Sequence, residues 1–500
     1  MSKILIGEKE YLDKVHACWL GKNIGGTLGA PYELKKYVNC LDYYHPIPEK
    51  AAPNDDLDLQ LIWLKMLEEK GINPTLPDFA EYWKRYASAY PWNEYGFLQR
   101  NLKRGLMPPI SGCFENYFLD EMGSPIRSEI WACIAPGDPQ LAASMAWKDS
   151  VVDHAGGEGM YGEMFWAAVE SAAFVINDPK TLIQIGLAMI PLHSAISMVV
   201  REALWCFDND ISWAEARERI VTYYGHFQPC RAPQNHGFTL LGLLYGKDYG
   251  DKLCKAVNCG YDTDCTGATL GALLGILNGT VEIPRKWRSP IGENIILHRF
   301  TGRFNAPKTI SELTERTFQI AKRVLQEKSD VAMFGERKVI PVNVLSLLFR
   351  NEKALATLKQ DTQAGVSMAG DIEITMHYWG EPVIRPNIEK LLGISVRRNN
   401  IEIDADVTLA VPEGWTIKPS KEVMGQKCFI ILASQVQDKN NIGVTISLSN
   451  LDYEASFVIL GPNEAKGYAS GKNVPTCPTC HAWKEACICK KEGTKQTFST

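Results

Sequence analysis

Nowhere in the 500 residues is there a run of roughly 18 consecutive apolar side chains, so no membrane-spanning helix is expected. The opening stretch, Met1-Ser2-Lys3-Ile4-Leu5-Ile6-Gly7-Glu8, has too short an apolar run to read as a secretory leader. A dense Lys/Arg stripe is also missing. The net charge is −5, whereas a chain that tracks nucleic acid needs clustered cations to neutralise phosphates. Cysteine is present without a disulfide framework: ten of the 14 thiols, among them Cys18, Cys133, Cys206 and Cys254, are scattered through apolar surroundings, as reduced thiols are in a cytosol. These absences point to a cytoplasmic protein that meets a small molecule, with no nucleic acid and no membrane as partner. They say nothing about oligomeric state.

What is present divides the chain in three. With 45% apolar residues, a chain of this length can bury a large core and is expected to form more than one domain. From about residue 9 to 328 apolar residues recur at steps of three and four, over Pro139 to Ser150, Met160 to Ile176, Pro179 to Met189, Ser212 to Tyr224 and Ile310 to Glu327, which predicts an all-α domain over 1–330. From 338 to 462 the pattern changes to short alternating runs, such as Asp371 to Met376 and Ile401 to Leu409, which predicts a small Ig-like β-sandwich. Residues 463–500, rich in Gly, Lys, Thr and Cys without periodicity, read as a flexible tail.

Two acidic clusters, Asn54-Asp55-Asp56 and Asp262-Thr263-Asp264-Cys265, each open an apolar helical segment. Buried carboxylates are costly unless something neutralises them, and an oxygen-seeking divalent cation does so. Taken alone, Asp55 or Asp56 could simply cap the helix marked by Leu57, Leu61, Leu64 and Leu67, which Gly71 and Pro74 stop. Asp58 reads as a solvated or supporting group. The second cluster is harder to explain that way, because it leads into glycines at 267, 271, 275 and 279. Each interior glycine costs up to about 1 kcal/mol relative to Ala, so the stripe predicts a buried helix against which another backbone packs closely. A third segment, Gly21 to Glu33, is a glycine-rich helix ending in a lone acid; its glycines follow no strand, which argues against a phosphate-binding loop.

The order of these three elements resembles the ADP-ribosylglycohydrolase family, over about residues 10–328. Ala135-Pro136-Gly137-Asp138-Pro139 and Asp149-Ser150-Val151-Val152-Asp153-His154 resemble its middle region. The resemblance implies an all-α orthogonal bundle followed here by the small β-sandwich. It further implies a binuclear magnesium centre, with manganese as the alternative ion, that cleaves the C1 bond of an ADP-ribosyl or related ribosyl or furanosyl substrate. Metal ligands would be Asp55, Asp56, Asp262 and Asp264, with Asn54 and Cys265 standing where the family usually has Thr. The expected catalytic residues are Glu33, Asp56 and Asp262; Glu33 reads either as general base or as an ordinary helix-end carboxylate. A thiol matches magnesium poorly and suits borderline ions better. A third departure is Gly123-Ser124-Pro125-Ile126-Arg127, where the family has an Asn-Gly-x-x-Met-Arg type sequence. The other function class is a non-catalytic binding or structural protein that keeps the fold; retention of all four Asp favours catalysis.

Substrate contacts are expected between Tyr90 and Trp131, where Trp92, Tyr95, Phe97, Phe114, Tyr117 and Trp131 sit among Gly and Pro with no sustained helical period. Trp92, Trp131 and Arg127 are the substrate-binding candidates, the Arg for a phosphate or carboxylate, with a surface salt bridge as its plainer use. His154 and His236 read as hydrogen-bonded structural groups. Val411-Pro412-Glu413-Gly414-Trp415 resembles a turn of Ig-like accessory domains in bacterial glycosidases, and is expected to be a hairpin with Trp415 covering the sandwich. In the tail, Cys477-Pro478-Thr479-Cys480-His481 matches a haem-attachment pattern, and Cys487 and Cys489 could complete a zinc knuckle; a tail with no fixed metal is the expectation.

Overall fold

The computed structural model describes residues 3–336, 341, 343–449 and 451–462, so the tail with its Cys477–Cys489 motifs lies outside the described residues. The chain divides into two compact units. The first comprises Met1–Pro74, Asp120–Ser150 and Gly157–Lys359, and the second Thr75–Leu119, Val151–Gly156 and Gln360–Thr500. Among the described residues no helix is long and apolar enough to cross a membrane.

The first unit is helical, and its helices start and stop where local chemistry dictates. Thr309 caps Ile310–Glu327 by accepting from Glu312 N, and one face of that helix buries Leu313, Phe318, Ile320, Ala321 and Val324. Helices Pro139–Ser150 and Ile310–Glu327 span the ranges their periodicity predicts. Others differ at the ends by one to three residues, as Glu158–Ala173, Pro179–Ala188 and Trp213–Tyr224 do, the last because Ser212 is its cap. One pairing has no periodic signal: Ile4–Ile6 runs parallel to Ala332–Phe334.

At the centre of this unit, helices Glu8–Gly29 and Thr263–Asn278 cross with their backbones almost touching. A Cβ placed on Gly21 would stand 2.0 Å from Gly271 O, one on Gly25 1.8 Å from Gly267 O, and one on Gly275 2.1 Å from Ala17 O. No side chain fits between these helices, which is why the glycine stripe is there. The crossing also carries the ends of both helices to one place: Gly29 packs against Thr263 O, and Thr263 Oγ1 donates to Gly29 O at 2.8 Å.

The second unit is built on antiparallel sheets. One sheet runs in the order Ala364–Ala369, Ile372–His377, Lys390–Arg398, Lys427–Leu432, Thr416–Pro419; the other runs Leu451–Leu460, Lys439–Leu448, Asp406–Ala410. Alternate residues such as Ile372, Ile374, Met376, Ile442, Val444, Ile446, Phe457 and Ile459 form its core, and Trp415 packs against them. The run Ile401 to Leu409, which alternation reads as one strand, is split: Ile401–Glu402 pairs with Arg397 and Arg398, whereas Asp406–Ala410 joins the other sheet. Residues 75–119 group with these sheets and contain helix Asn93–Arg104, where the sequence suggests irregular structure. Its apolar spacing (Tyr95, Leu98, Leu102) is helical, but Pro91 and Gly96 mask it, and the helix ends at Gly105 with φ +91°.

Candidate metal centre

Glu33, Asp56, Asp262 and Asp264 come from the helical unit and fall into two groups near the crossing of its two central helices, with Asp55 as an electrostatic neighbour of Glu33, Asp56 and Asp264. Asn54 starts helix Asp55–Lys70 by accepting from Asp56 N through Oδ1 at 2.8 Å, which leaves Asp55 and Asp56 in the first turn. Asp262 stands at the N-cap of Thr263–Asn278 but makes no side-chain capping bond, and Asp264 lies in the first turn. Glu33 follows the short 3-10 turn Ala30–Tyr32 that ends the first central helix. Its segment is stitched to the Asp262 segment by two backbone bonds, Leu34 N to Tyr261 O and Tyr261 N to Lys35 O, both 2.7 Å. Leu34 and Tyr261 adopt left-handed φ values of 66° and 69° there, a strain that the reciprocal bonds hold in place.

Two groups of potential ligand atoms result. Carboxylate oxygens of Asp56 and Asp264 and the sulfur of Cys265 lie within 4.8 Å of one another, and so do ligand atoms of Glu33, Cys230 and Asp262. Asp56 is fully buried, and its Oδ2 has no hydrogen-bond partner among the described residues; the same holds for Asp264 Oδ1. Cys265 Sγ is 3.5 Å from Asp56 Oδ1. Asn54, the expected flanking ligand, turns its carbonyl oxygen to the helix cap, while its amide nitrogen faces Gly26. Carboxylates that converge without donors fit a divalent cation, which takes oxygen ligands and removes the desolvation cost.

The electrostatics agree with that fit. Burial pushes Asp56 well above the usual carboxylate range, Asp264 and Asp55 add to the rise, and Lys22 opposes it. Asp262 is raised by burial and then by Asp264 and Glu33, and Asp264 by burial and Asp55. Glu33, although exposed, is pushed up to about 8, first by Asp264, then by partial desolvation and Asp55. Burial and the surrounding acids also raise the Cys265 thiol. Without a cation, these groups are therefore held towards their neutral forms.

Several supporting residues carry no motif. Behind Asp56, Lys22 Nζ bonds Glu129 Oε1 at 2.7 Å with both side chains fully buried. Burial alone would lower Lys22, but Glu129 and Asp56 outweigh it and hold the ammonium charged. Gln60 Nε2 bridges Glu129 Oε2 and Asp56 O, each at 2.8 Å, so the chain of bonds ends on the backbone of the first acidic turn. Asp58 points away from this chain of bonds and fastens a neighbouring loop, its Oδ2 accepting from His298 N at 2.6 Å and Thr301 Oγ1 at 2.7 Å. Among the described residues, Cys230 is a possible ligand that no sequence motif marked: counted with the thiols in apolar surroundings, it stands between Pro229 and Arg231.

The remaining candidates lie elsewhere. Arg127 is fully buried and bonds Asp149 through Nε at 3.0 Å and Nη2 at 3.0 Å. Trp131, also buried, donates to Glu163 Oε1 at 3.0 Å and Asp149 Oδ2 at 3.2 Å. Burial and then Asp149 raise Glu163, and the Arg127 guanidinium opposes the rise. Trp92, 37% exposed, belongs to the second unit and precedes helix Asn93–Arg104. His236 is buried with Nδ1 2.7 Å from Ala232 O, and desolvation lowers it to about 4, which keeps it neutral. His154, in the second unit, is buried 3.1 Å from Asp153 Oδ1.

Comparison with known proteins gives this arrangement a context. Residues 7–328 match the sequence profile of the family described as ADP-ribosylglycohydrolase. No curated protein matches the chain. A solved structure described as an ADP-ribosylglycohydrolase-related protein complex is 19% identical, with a TM-score of 0.43, over 63% of this chain and 97% of its own.

Proposed function

We propose, because this chain belongs to the ADP-ribosylglycohydrolase family, that it is a metal-dependent glycoside hydrolase cleaving the C1 bond of an ADP-ribosyl or related ribosyl or furanosyl group. The observation that carries the reading is that the Asp56 and Asp264 carboxylates converge, each keeping a buried oxygen (Oδ2 and Oδ1) with no hydrogen-bond partner among the described residues. Asp55, Asp56, Asp262 and Asp264, with Asn54 and Cys265 beside them, would hold two divalent cations, magnesium with manganese as the alternative. When bound, such ions supply Lewis-acid chemistry to vicinal sugar hydroxyls.

Cleavage passes through a transition state like an oxocarbenium ion, so the protein must fix the sugar and offer a group that takes a proton from the attacking water. Glu33 suits that role, being exposed and set near Asp264 and Asp55, which together with partial desolvation push it up to about 8 in the metal-free protein. Asp56 and Asp262, fully or almost fully buried, orient the sugar side of the centre instead of meeting solvent. Arg127, Trp92 and Trp131 remain our candidates for substrate selection. For Arg127 and Trp131 that action runs through the buried Asp149 and Glu163 pair that they bond. We assign catalysis to residues 1–330 and an accessory role to the β-rich region of 338–462. A cytoplasmic setting fits the ten described cysteines, none of which forms a disulfide among the described residues. The partner is a small molecule or an ADP-ribosylated substrate.

The test is a panel of ADP-ribosylated peptides, ADP-ribose, nucleosides and aryl furanosides, assayed with magnesium and with manganese. Turnover of at least one ribosyl or furanosyl compound, abolished by chelator, is expected. No turnover across the panel, from protein that binds either ion, would favour a binding protein over an enzyme.

A further inference from the structure

The loop that carries Cys230 is held as firmly as the helix ends around it. Met122 N bonds Cys230 O at 2.8 Å, and Arg231 Nη2 pairs with Asp120 Oδ2 at 2.6 Å. Asn235 then ties this loop to the acidic cluster with a single side chain. Its Nδ2 donates to Pro229 O at 2.8 Å and Arg231 O at 2.9 Å, and its Oδ1 accepts from Asp262 N at 3.3 Å. The thiol is thereby set against Asp262 and Glu33, with one ligand atom from each within 4.8 Å of the others. Metal–sulfur bonds of about 2.3 Å and metal–oxygen bonds of about 2.0–2.2 Å span such a triangle with small adjustments. In the other group, Asp56 Oδ2 and Asp264 Oδ1 are buried atoms with no hydrogen-bond partner among the described residues.

The two thiols of the centre are not equivalent. Cys265, 8% exposed, has its sulfur 3.5 Å from Asp56 Oδ1, the geometry of a thiol donating to a carboxylate. Cys230 is half-buried, and its set combines one sulfur with two carboxylates. Soft sulfur disfavours magnesium and favours borderline ions.

We propose that Cys230 is a metal ligand which, with Glu33 and Asp262, holds one of the two cations and makes that position select a borderline ion such as zinc, cobalt or iron(II) over magnesium. This rests on the binuclear reading above, with Glu33 holding the cation through one carboxylate oxygen and its other oxygen keeping the proton-accepting role. The Asp56 and Asp264 half, in which the Cys265 thiol stays on Asp56 Oδ1, offers carboxylate oxygens that suit magnesium or manganese, so the centre takes two different metals. On binding, the Cys230 thiol gives up its proton to solvent and Cys265 keeps its own.

The experiment titrates cobalt(II) into the full-length protein after chelator treatment, with a phosphine reductant, and reads the near-ultraviolet sulfur-to-cobalt charge-transfer band beside the visible cobalt bands. Wild type is expected to show the charge-transfer band, C265S to keep it, and C230S to lose it with about tenfold or greater loss of zinc affinity in competition. C230D, which restores an oxygen donor, is expected to bind cobalt without the sulfur band, and this separates loss of the ligand from loss of the fold. Persistence of the band in C230S, or visible cobalt absorption in wild type without it, overturns the assignment while leaving the carboxylate centre standing. If wild type binds neither cobalt nor magnesium, the binuclear reading falls and this assignment falls with it.

Discussion

Replacing Gly25 with Ala tests whether the crossing of the two central helices sets the geometry of the acidic centre. The new Cβ would stand 1.8 Å from Gly267 O and 2.2 Å from Gly267 C, whereas real Cβ contacts under 3.0 Å are essentially never seen. Both atoms belong to backbone, so no side chain can rotate away. The helices must separate by about 1.2 Å to reach even the 3.0 Å limit, in an interior packed as densely as an organic crystal. Overpacking of this kind costs about 1–3 kcal/mol, and a clash with backbone belongs at the upper end. Helix Thr263–Asn278 begins only four residues before Gly267, so the displacement carries Asp262 and Asp264 away from Glu33 and Asp56. Metal ligation tolerates only about 0.2 Å of error in ligand distance. G25A is therefore expected to lower the melting temperature by about 4 °C or more and to weaken divalent-cation binding at least about tenfold. G335A serves as the control, because the nearest atom to its Cβ would lie at 3.4 Å, an ordinary contact. Differential scanning calorimetry with and without manganese reads both effects. A G25A protein that matches wild type in stability and in cation affinity would refute the reasoning.

Two further predictions concern the charges around the centre. K22M strands Glu129 in a fully buried position and is expected to cost about 3–5 kcal/mol, most of it recovered in the K22M/E129Q double variant. Denaturant titration of the four proteins measures the coupling, and additive losses would contradict it. The second is a pH dependence in protein stripped of metal. Glu33 is raised from 4.5 to about 8, and Asp56, Asp262 and Asp264 are also raised. An acid raised in the folded state binds more protons there than in the unfolded chain, so its favourable contribution is present below the unfolded value and is lost as pH climbs through the folded one. Melting temperature with chelator should fall between about pH 4.5 and pH 8, and a bound cation should flatten the slope; a rise over that interval is the contrary result.

Features that obey a local rule were readable from the sequence. The glycines at 267, 271 and 275 carry the close approach of two backbones in their four-residue spacing. Asn54 before Asp55 and Asp56 gives both a helix start and a possible ligand set from one short string. What escaped depends on distant segments meeting. Cys230 joins Glu33 and Asp262 only through the bonds of Asn235 and Met122, and nothing in the spacing of Cys230 announces that. Lys22 and Glu129 look like surface charges until the fold buries both. The run Ile401 to Leu409 alternates correctly, yet alternation cannot tell that the chain leaves one sheet for another at residues 403–405. The ion pairs of Arg127 with Asp149 and Glu163 were not legible either, because the three residues meet only in the fold.

The most direct test of the whole account is calorimetric titration of manganese into chelator-treated protein, wild type beside the D55A/D262A double variant, with circular dichroism to verify folding. Saturable heat in wild type and its loss in the folded variant is the predicted result. Equal heats in the two proteins, or none in either, would mean that these carboxylates do not form a cation centre.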